Sequence, residues 1–286
     1  MSQSRREDRT APVADRFRSN GRTKRLQGQT AEVKIRVTTC EMPDDPLEFV
    51  HAWDRLRDHL AAESSDLLVL NEAPFARWFA LGDEFDDTVW SAAVSSHAEA
   101  IRQLRLSCGV IATAPIERGD RRHNQAFSWT SGSGLAPWRR KGLLPDEFPV
   151  FEATWYHPGL DRPDVRRLVG ADVGVLTCTE IWNLDWASTL GRLGAQIIAT
   201  PRATGDDSLD NWHAAGRVAA IVSGAYSVSS NRVGGGFGGG GWIYAPDGEL
   251  LASTDEQQPF VTVELDLDVA DIAKVTYPRY ALWSLD

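Results

Sequence analysis

A chain of 286 residues with 42% apolar content is long enough to bury a substantial core, and we read its body as one domain. Its net charge of −10 argues against nucleic acid as a partner, and the three cysteines, Cys40, Cys108 and Cys178, are too few and irregularly spaced for a disulfide framework or zinc site. No run of about 18 apolar residues offers a membrane span, and the N-terminus is charged where a signal peptide would be apolar.

These bounds predict a cytoplasmic protein that works without metal, cofactor, membrane or nucleic acid. Residues 1–30 hold eight Lys or Arg against three Asp or Glu, with no apolar periodicity. They read as a disordered basic tail, or a docking arm, ahead of a domain over 31–286.

The first predicted element is a half-exposed strand in which Val33, Ile35 and Val37 alternate with Lys34 and Arg36. Pro43 and Pro46 break it. Phe49, Val50, Trp53, Leu56 and Leu60 then mark an amphipathic helix over 47–62. The apolar run LLVL at 67–70 is a strand, and Glu72 follows it closely. A carboxylate there must leave the core or find a proton or a partner, and surroundings such as Phe75 and Trp78 would push it towards the neutral form.

A second helix over 88–106 turns Val89, Ala93, Ala100, Ile101 and Leu104 inward, and a strand at 109–114 pairs with 124–130 as a hairpin. In WRRKGLLPDEFPVFE (138–152), Lys141 precedes a Pro-broken loop carrying two acids, Glu147 and Glu152, either of which could serve it.

The stretch at 173–201 organises the chain. Val173, Val175 and Leu176 read as a buried strand, and Ile181, Leu184, Ala187, Leu190 and Leu193 as one face of a helix closed by Gly194. Cys178 sits at the junction, where a helix N-terminus favours thiolate over thiol. Glu180 is expected to support the turn, and Cys40 and Cys108 to be structural. A carboxylate, an ammonium and a thiol on three strand ends are the set that covalent acyl chemistry needs.

Further elements are predicted at 196–200 (strand), 209–222 (helix), 225–230 and 242–245 (strands) and 260–265 (last strand), with Asp247-Gly248 as a hairpin turn. The seven glycines and Phe237 at 234–241 form either a flexible loop or a tight-turn segment passing near the site. The halves repeat strand-helix-strand-helix-strand-strand, which suggests two mixed sheets face to face with helices outside.

Four ordered stretches make residues 33–280 resemble the nitrilase superfamily of carbon-nitrogen hydrolases. DLLVLNEAPF (66–75) is similar to its glutamate motif, WRRKGLLPDE (138–147) to its lysine motif and VGVLTCTEIW (173–182) to its cysteine motif. Ser230-Asn231-Arg232 and FGGGGWIYAPDGELLA (237–252) resemble its C-terminal hairpin. The resemblance implies a four-layer αββα sandwich of the α/β class that pairs into a homodimer or a higher homo-oligomer. It also implies Cys178 as nucleophile, Glu72 as base, Glu152 as the second glutamate, and an oxyanion site made by Lys141 and the backbone N–H of Thr179.

The spacing LPDEFPVFEATWYHPG is most similar to the carbamoyl-amide and aliphatic amidase branches. Asn71 stands where proline usually precedes the glutamate, and Leu143 where a histidine is common. Thr179 replaces the tryptophan of true nitrilases, and Glu180, Ile181 and Trp182 replace the paired arginines of carbamoyl-D-amino-acid hydrolases. The expected activity is hydrolysis of a small amide or N-carbamoyl compound through a thioester. A nitrilase, an acyl transferase using an amine, and a binding protein without turnover are the alternatives. Trp155, Trp182, Tyr156 and Trp129 are candidate pocket walls. Arg202 is a candidate for a substrate carboxylate, or for pairing with Asp206 or Asp207.

Overall fold

The computed structural model describes residues 33–285, so the tail expected over 1–30 lies outside the described residues. The alternation at Val33, Ile35 and Val37 belongs only to the start of β1 (Lys34–Pro43); from Val37 to Met42 every residue is buried, because β1 is a central strand and not a half-exposed one. Asp45 caps α1 (Pro46–Ala62), accepting from the Leu47 and Glu48 N–H groups at 2.9 and 3.2 Å, with Pro46 pre-shaped for the first turn. β2 (Leu67–Val69), α2 (Asp87–Gln103), the hairpin β3 (Gly109–Arg118) and β4 (Arg121–Thr130), and β5 (Gly134–Arg140) complete the first half. A small hairpin, β6 (Asp146–Glu147) and β7 (Val150–Phe151), and the one-turn helix α3 (Glu152–Trp155) lead out of it.

The second half contributes β8 (Val165–Leu168), β9 (Ala171–Val175), α4 (Leu184–Arg192), β10 (Ile197–Pro201), α5 (Leu209–Ser223) and β11 (Tyr226–Gly234). It ends with β12 (Phe237–Gly238), β13 (Trp242–Tyr244), β14 (Leu250–Ser253), β15 (Phe260–Asp266), α6 (Leu267–Lys274) and α7 (Arg279–Leu282). Asp247-Gly248 makes the expected turn between β13 and β14.

Pairing runs β15-β1-β2-β3-β4-β5 in one sheet and β8-β9-β10-β11-β13-β14 in the other. The sheets meet where β1 and β11 pair in parallel, Glu41 opposite Asn231. Leu56 and Leu60 of α1 and Ile101 of α2 pack on Leu68, Val110, Ala112 and Phe127 of the first sheet. Ala187 and Leu190 of α4 and Ala215 and Ala219 of α5 pack with Ile198 and Trp242 of the second. The fold is the four-layer αββα sandwich. Val50, Val89, Leu184 and Leu193, expected inside, are exposed, because the buried stripes are narrower: Ala52, Leu56 and Leu60 on α1, and Trp90, Ala93, His97 and Ile101 on α2.

Between the sheets the side chains are small and polar. Thr39 Oγ1 donates to the Ser229 carbonyl, and Ser230 Oγ donates to the Val69 carbonyl at 2.6 Å while accepting from the Cys40 N–H at 2.9 Å. Each buried hydroxyl thereby finds a backbone partner. Among the described residues no helix is long and apolar enough to cross a membrane.

Candidate active site

Three chain ends carry the reactive groups into one buried spot. Glu72 emerges just after β2, Lys141 directly follows β5, and Cys178 follows β9. Lys141 Nζ donates to Glu72 Oε1 at 2.8 Å and to both oxygens of Glu152, at 2.8 and 2.6 Å. Asn124, on β4, donates to the same Glu72 oxygen at 2.6 Å. The other oxygen, Glu72 Oε2, is buried and has no hydrogen-bond partner. Of the two acids left open by the loop, Glu152 is the one that meets Lys141, whereas Glu147 is exposed.

Cys178 opens a 3-10 turn, Cys178–Trp182, and α4 begins only at Leu184, capped by Asn183. The expected thiolate at a helix N-terminus is therefore corrected. Burial, with Glu72 and Glu152 nearby, pushes the Cys178 thiol up to about 12 against the pull of Lys141 and the Ala203 N–H. The resting sulfur holds its proton. Burial alone would lower Lys141, but Glu152, Glu72 and Cys178 outweigh it and hold the ammonium well above its ordinary range.

The turn itself is strained and braced. Cys178 has φ +48° and Ala73, next to Glu72, φ +43°, conformations that cost a non-glycine residue about 1–3 kcal/mol each. Glu180 supports the turn as expected: it accepts from the Thr177 N–H and the Gly142 N–H, both at 2.8 Å, and pairs with Arg139. One carboxylate thus ties the cysteine turn to the residue after Lys141.

A cavity of about 530 Å³ opens onto this spot, with Cys178, Thr179 and Glu152 in its lining. Its walls come from 145–150, from 203–208 and from Gly235, Gly236 and Phe237, so the glycine-rich stretch is a tight-turn segment at the site. Gly239 shows why glycine is needed: its φ is +62°, and a side chain there would collide with the Glu41 carboxylate. Asn231 ties the two loops together, donating to the Gly239 carbonyl at 2.7 Å and accepting from the Thr204 N–H at 2.9 Å.

The four candidate walls and Arg202 are corrected. Trp155 is buried away from the cavity, donating to the Gly82 carbonyl at 2.8 Å and packing on Phe79 and Phe85. Arg202 is also fully buried: its fork donates to Ser229, Thr204 and the Gly240 carbonyl and lies over Trp242 at 4.1 Å. Burial lowers it to about 9, and no acid, Asp206 and Asp207 included, pairs with it among the described residues. Trp182 stands in a shallow neighbouring groove with Thr179 and Leu143, and it is Trp212, packed against it at 5.3 Å, that lines the cavity. Trp129 belongs to the core under α1 and α2, and Tyr156 to an aromatic cluster with Phe79 and Trp90.

The sequence model of carbon-nitrogen hydrolases matches residues 35–274. An N-carbamoylputrescine amidase of Arabidopsis thaliana is 24% identical over 268 residues, which cover 85% of this chain and 89% of that protein. A carbon-nitrogen hydrolase from Helicobacter pylori G27 has the same fold, with a TM-score of 0.76 at 18% identity over 89% of this chain and 97% of that one. So has a mutant amidase from Nesterenkonia sp. AN1 bearing the acetamide moiety of fluoroacetamide on its active-site cysteine (TM-score 0.68, 19% identity, 90% and 98% covered).

Proposed function

Because the chain belongs to the carbon-nitrogen hydrolase family, we propose that this enzyme hydrolyses a small amide or N-carbamoyl compound through a thioester on Cys178. The observation that carries the reading is the convergence of Glu72, with one oxygen unpartnered and the other on Lys141, and Cys178 in the lining of a cavity. With so high a thiol pKa, a standing thiolate is scarce, and the proton leaves as the sulfur attacks. Glu72 Oε2 takes that proton, the S–C bond forms, and the carbonyl oxygen becomes an oxyanion.

Lys141 and the Thr179 N–H stabilise that oxyanion, each such donor being worth roughly two orders of magnitude in rate. All three Lys141 protons already face carboxyl oxygens of Glu72 and Glu152. Since two of them meet the same Glu152 group, one can turn to the oxyanion while the contact with Glu152 persists. Glu72 then gives its proton to the leaving nitrogen, and the C–N bond breaks. Water replaces the amine, Glu72 deprotonates it, and collapse of the second tetrahedral species frees the acid and restores the thiol. A panel of amides and N-carbamoyl amines scored for ammonia release, with mass spectrometry for an acyl adduct on Cys178, tests this. Absence of both product and adduct across the panel overturns it.

A further inference from the structure

The peptide unit joining Arg202 to Ala203 stands between the base and the nucleophile. Its carbonyl accepts from the Glu72 N–H at 3.0 Å, and its own N–H, that of Ala203, is directed at the Cys178 sulfur. Because the unit is planar, it fixes the two reactive residues relative to one another. Arg202 itself is fully buried and lies outside the cavity lining, so it acts from behind the site. Its donors go to Ser229 Oγ, Thr204 Oγ1 and the Gly240 carbonyl at 2.8, 2.7 and 2.7 Å, and the Trp242 and Trp212 rings lie 4.1 and 5.7 Å away. The Gly240 N–H in turn donates to Glu41 at 2.9 Å, so the same guanidinium anchors the glycine-rich stretch that walls the cavity. These neutral partners satisfy its hydrogen bonds and leave its charge uncompensated, and burying a guanidinium without a carboxylate is unfavourable. The anion that favours its charge is the one that Cys178 carries once ionised.

We propose that Arg202 is a positioning residue for the nucleophile: it holds the 202–203 peptide between Glu72 and Cys178 and supplies a positive charge against which the sulfur ionises. This rests on the hydrolase reading above. As the proton passes from Sγ to Glu72 Oε2, the electron pair stays on the sulfur, and the Ala203 N–H and the guanidinium favour that state until the S–C bond forms. Lys141 is already shared between Glu72 and Glu152, so the second cation has a part of its own. In a buried setting such a charge acts without direct contact.

Methyl methanethiosulfonate, a small neutral reagent that is no amide, forms a mixed disulfide with Cys178 as methanesulfinate leaves, and peptide mass spectrometry follows the rate at that residue alone. Arg202→Gln keeps polar contacts and removes the charge. At about pH 6.5 it should react about tenfold or more slowly than the wild type, with circular dichroism unchanged. Arg202→Lys, at the same low pH so that the buried ammonium keeps its proton, should react within about threefold of the wild type. A guanidinium fork that served the fold alone would leave the two variants alike. A wild-type rate in Arg202→Gln, or an equal loss in both variants, overturns the assignment. If Arg202→Gln does not fold, a loss of about tenfold in folded Arg202→Lys overturns it by itself. Ammonia release from the amide panel is scored separately, so an unaltered thiol rate leaves the hydrolase reading standing.

Discussion

Arg232 reaches from β11 to donate its Nε–H to the backbone carbonyl of Glu72 at 3.1 Å, so the carboxylate is positioned through its main chain as well as its side chain. The same guanidinium donates to the carbonyls of Ala73 and Ala76 and pairs with Asp44 at 2.6 Å, and Asp44 in turn accepts from the Trp78 N–H at 2.8 Å. The whole segment after Glu72 folds around one planar fork. Arg232→Lys keeps the charge and loses the fork. Steady-state kinetics should show kcat down by about 10- to 100-fold with KM little changed, and the melting temperature should fall. An unchanged kcat would refute the positioning role.

Cys178→Ser should lose activity by about three orders of magnitude or more while circular dichroism stays unchanged, since a hydroxyl is far harder to deprotonate than a thiol. Cys40→Ser and Cys108→Ser should remain active. Cys40 is buried among Leu68 and Met42, so its replacement should lower the melting temperature.

Burial and Glu72 raise Glu152 from 4.5 to about 8 against the pull of Lys141. Between those values the folded protein holds a proton that the unfolded chain has released, so stability falls as pH rises across the window. His97 acts in the opposite sense: burial lowers it from 6.5 to about 4, and stability is lost as pH falls through that range. Above 6.5 the Glu152 contribution stands clear of His97. Melting temperatures from pH 6.5 to pH 8 should slope downward for the wild type and flatten in Glu152→Gln. Parallel slopes would remove Glu152 as the cause.

Trp182, Leu184 and Leu193 are exposed, and the Trp283 indole, donating to Ser188 at 2.9 Å, brings the C-terminal turn against α4. Tyr277, Tyr280 and Leu282 of that segment are exposed as well. Apolar surface of this extent is what a twofold pair of chains buries. The protein should sediment as a homodimer, and Leu193→Asp with Tyr280→Asp should give a less active monomer. A fully active wild-type monomer sinks this expectation.

Glu72, Lys141 and Cys178 could be read as strand-end residues because an apolar run and its stop are local features of the chain. Which way a side chain points from a strand end is not local. Arg202 lay on the expected edge, yet its donors are taken by Ser229, Thr204 and Gly240. The roles of Asn124 and Arg232 beside Glu72 escaped notice because nothing in their neighbourhood signals a partner 52 or 160 residues away. The thiolate expectation failed on magnitude: partial charges at one short turn are outweighed by full burial and two carboxylates. Four-residue spacing marked the α4 face too broadly, since Ile181 belongs to the 3-10 turn before it.

The hydroxyls of Thr39 and Ser230, and the backbone of Ser229, do more than satisfy each other. The base enters from one sheet and the nucleophile from the other, so the thickness of the seam between β1 and β11 sets how far apart they stand. Ser230 bonds the Val69 carbonyl, three residues before Glu72. A wider side chain there, as in Ser230→Val, would act like a shim. It would spread the sheets and lengthen the proton's path from Sγ to Oε2, although it touches neither atom.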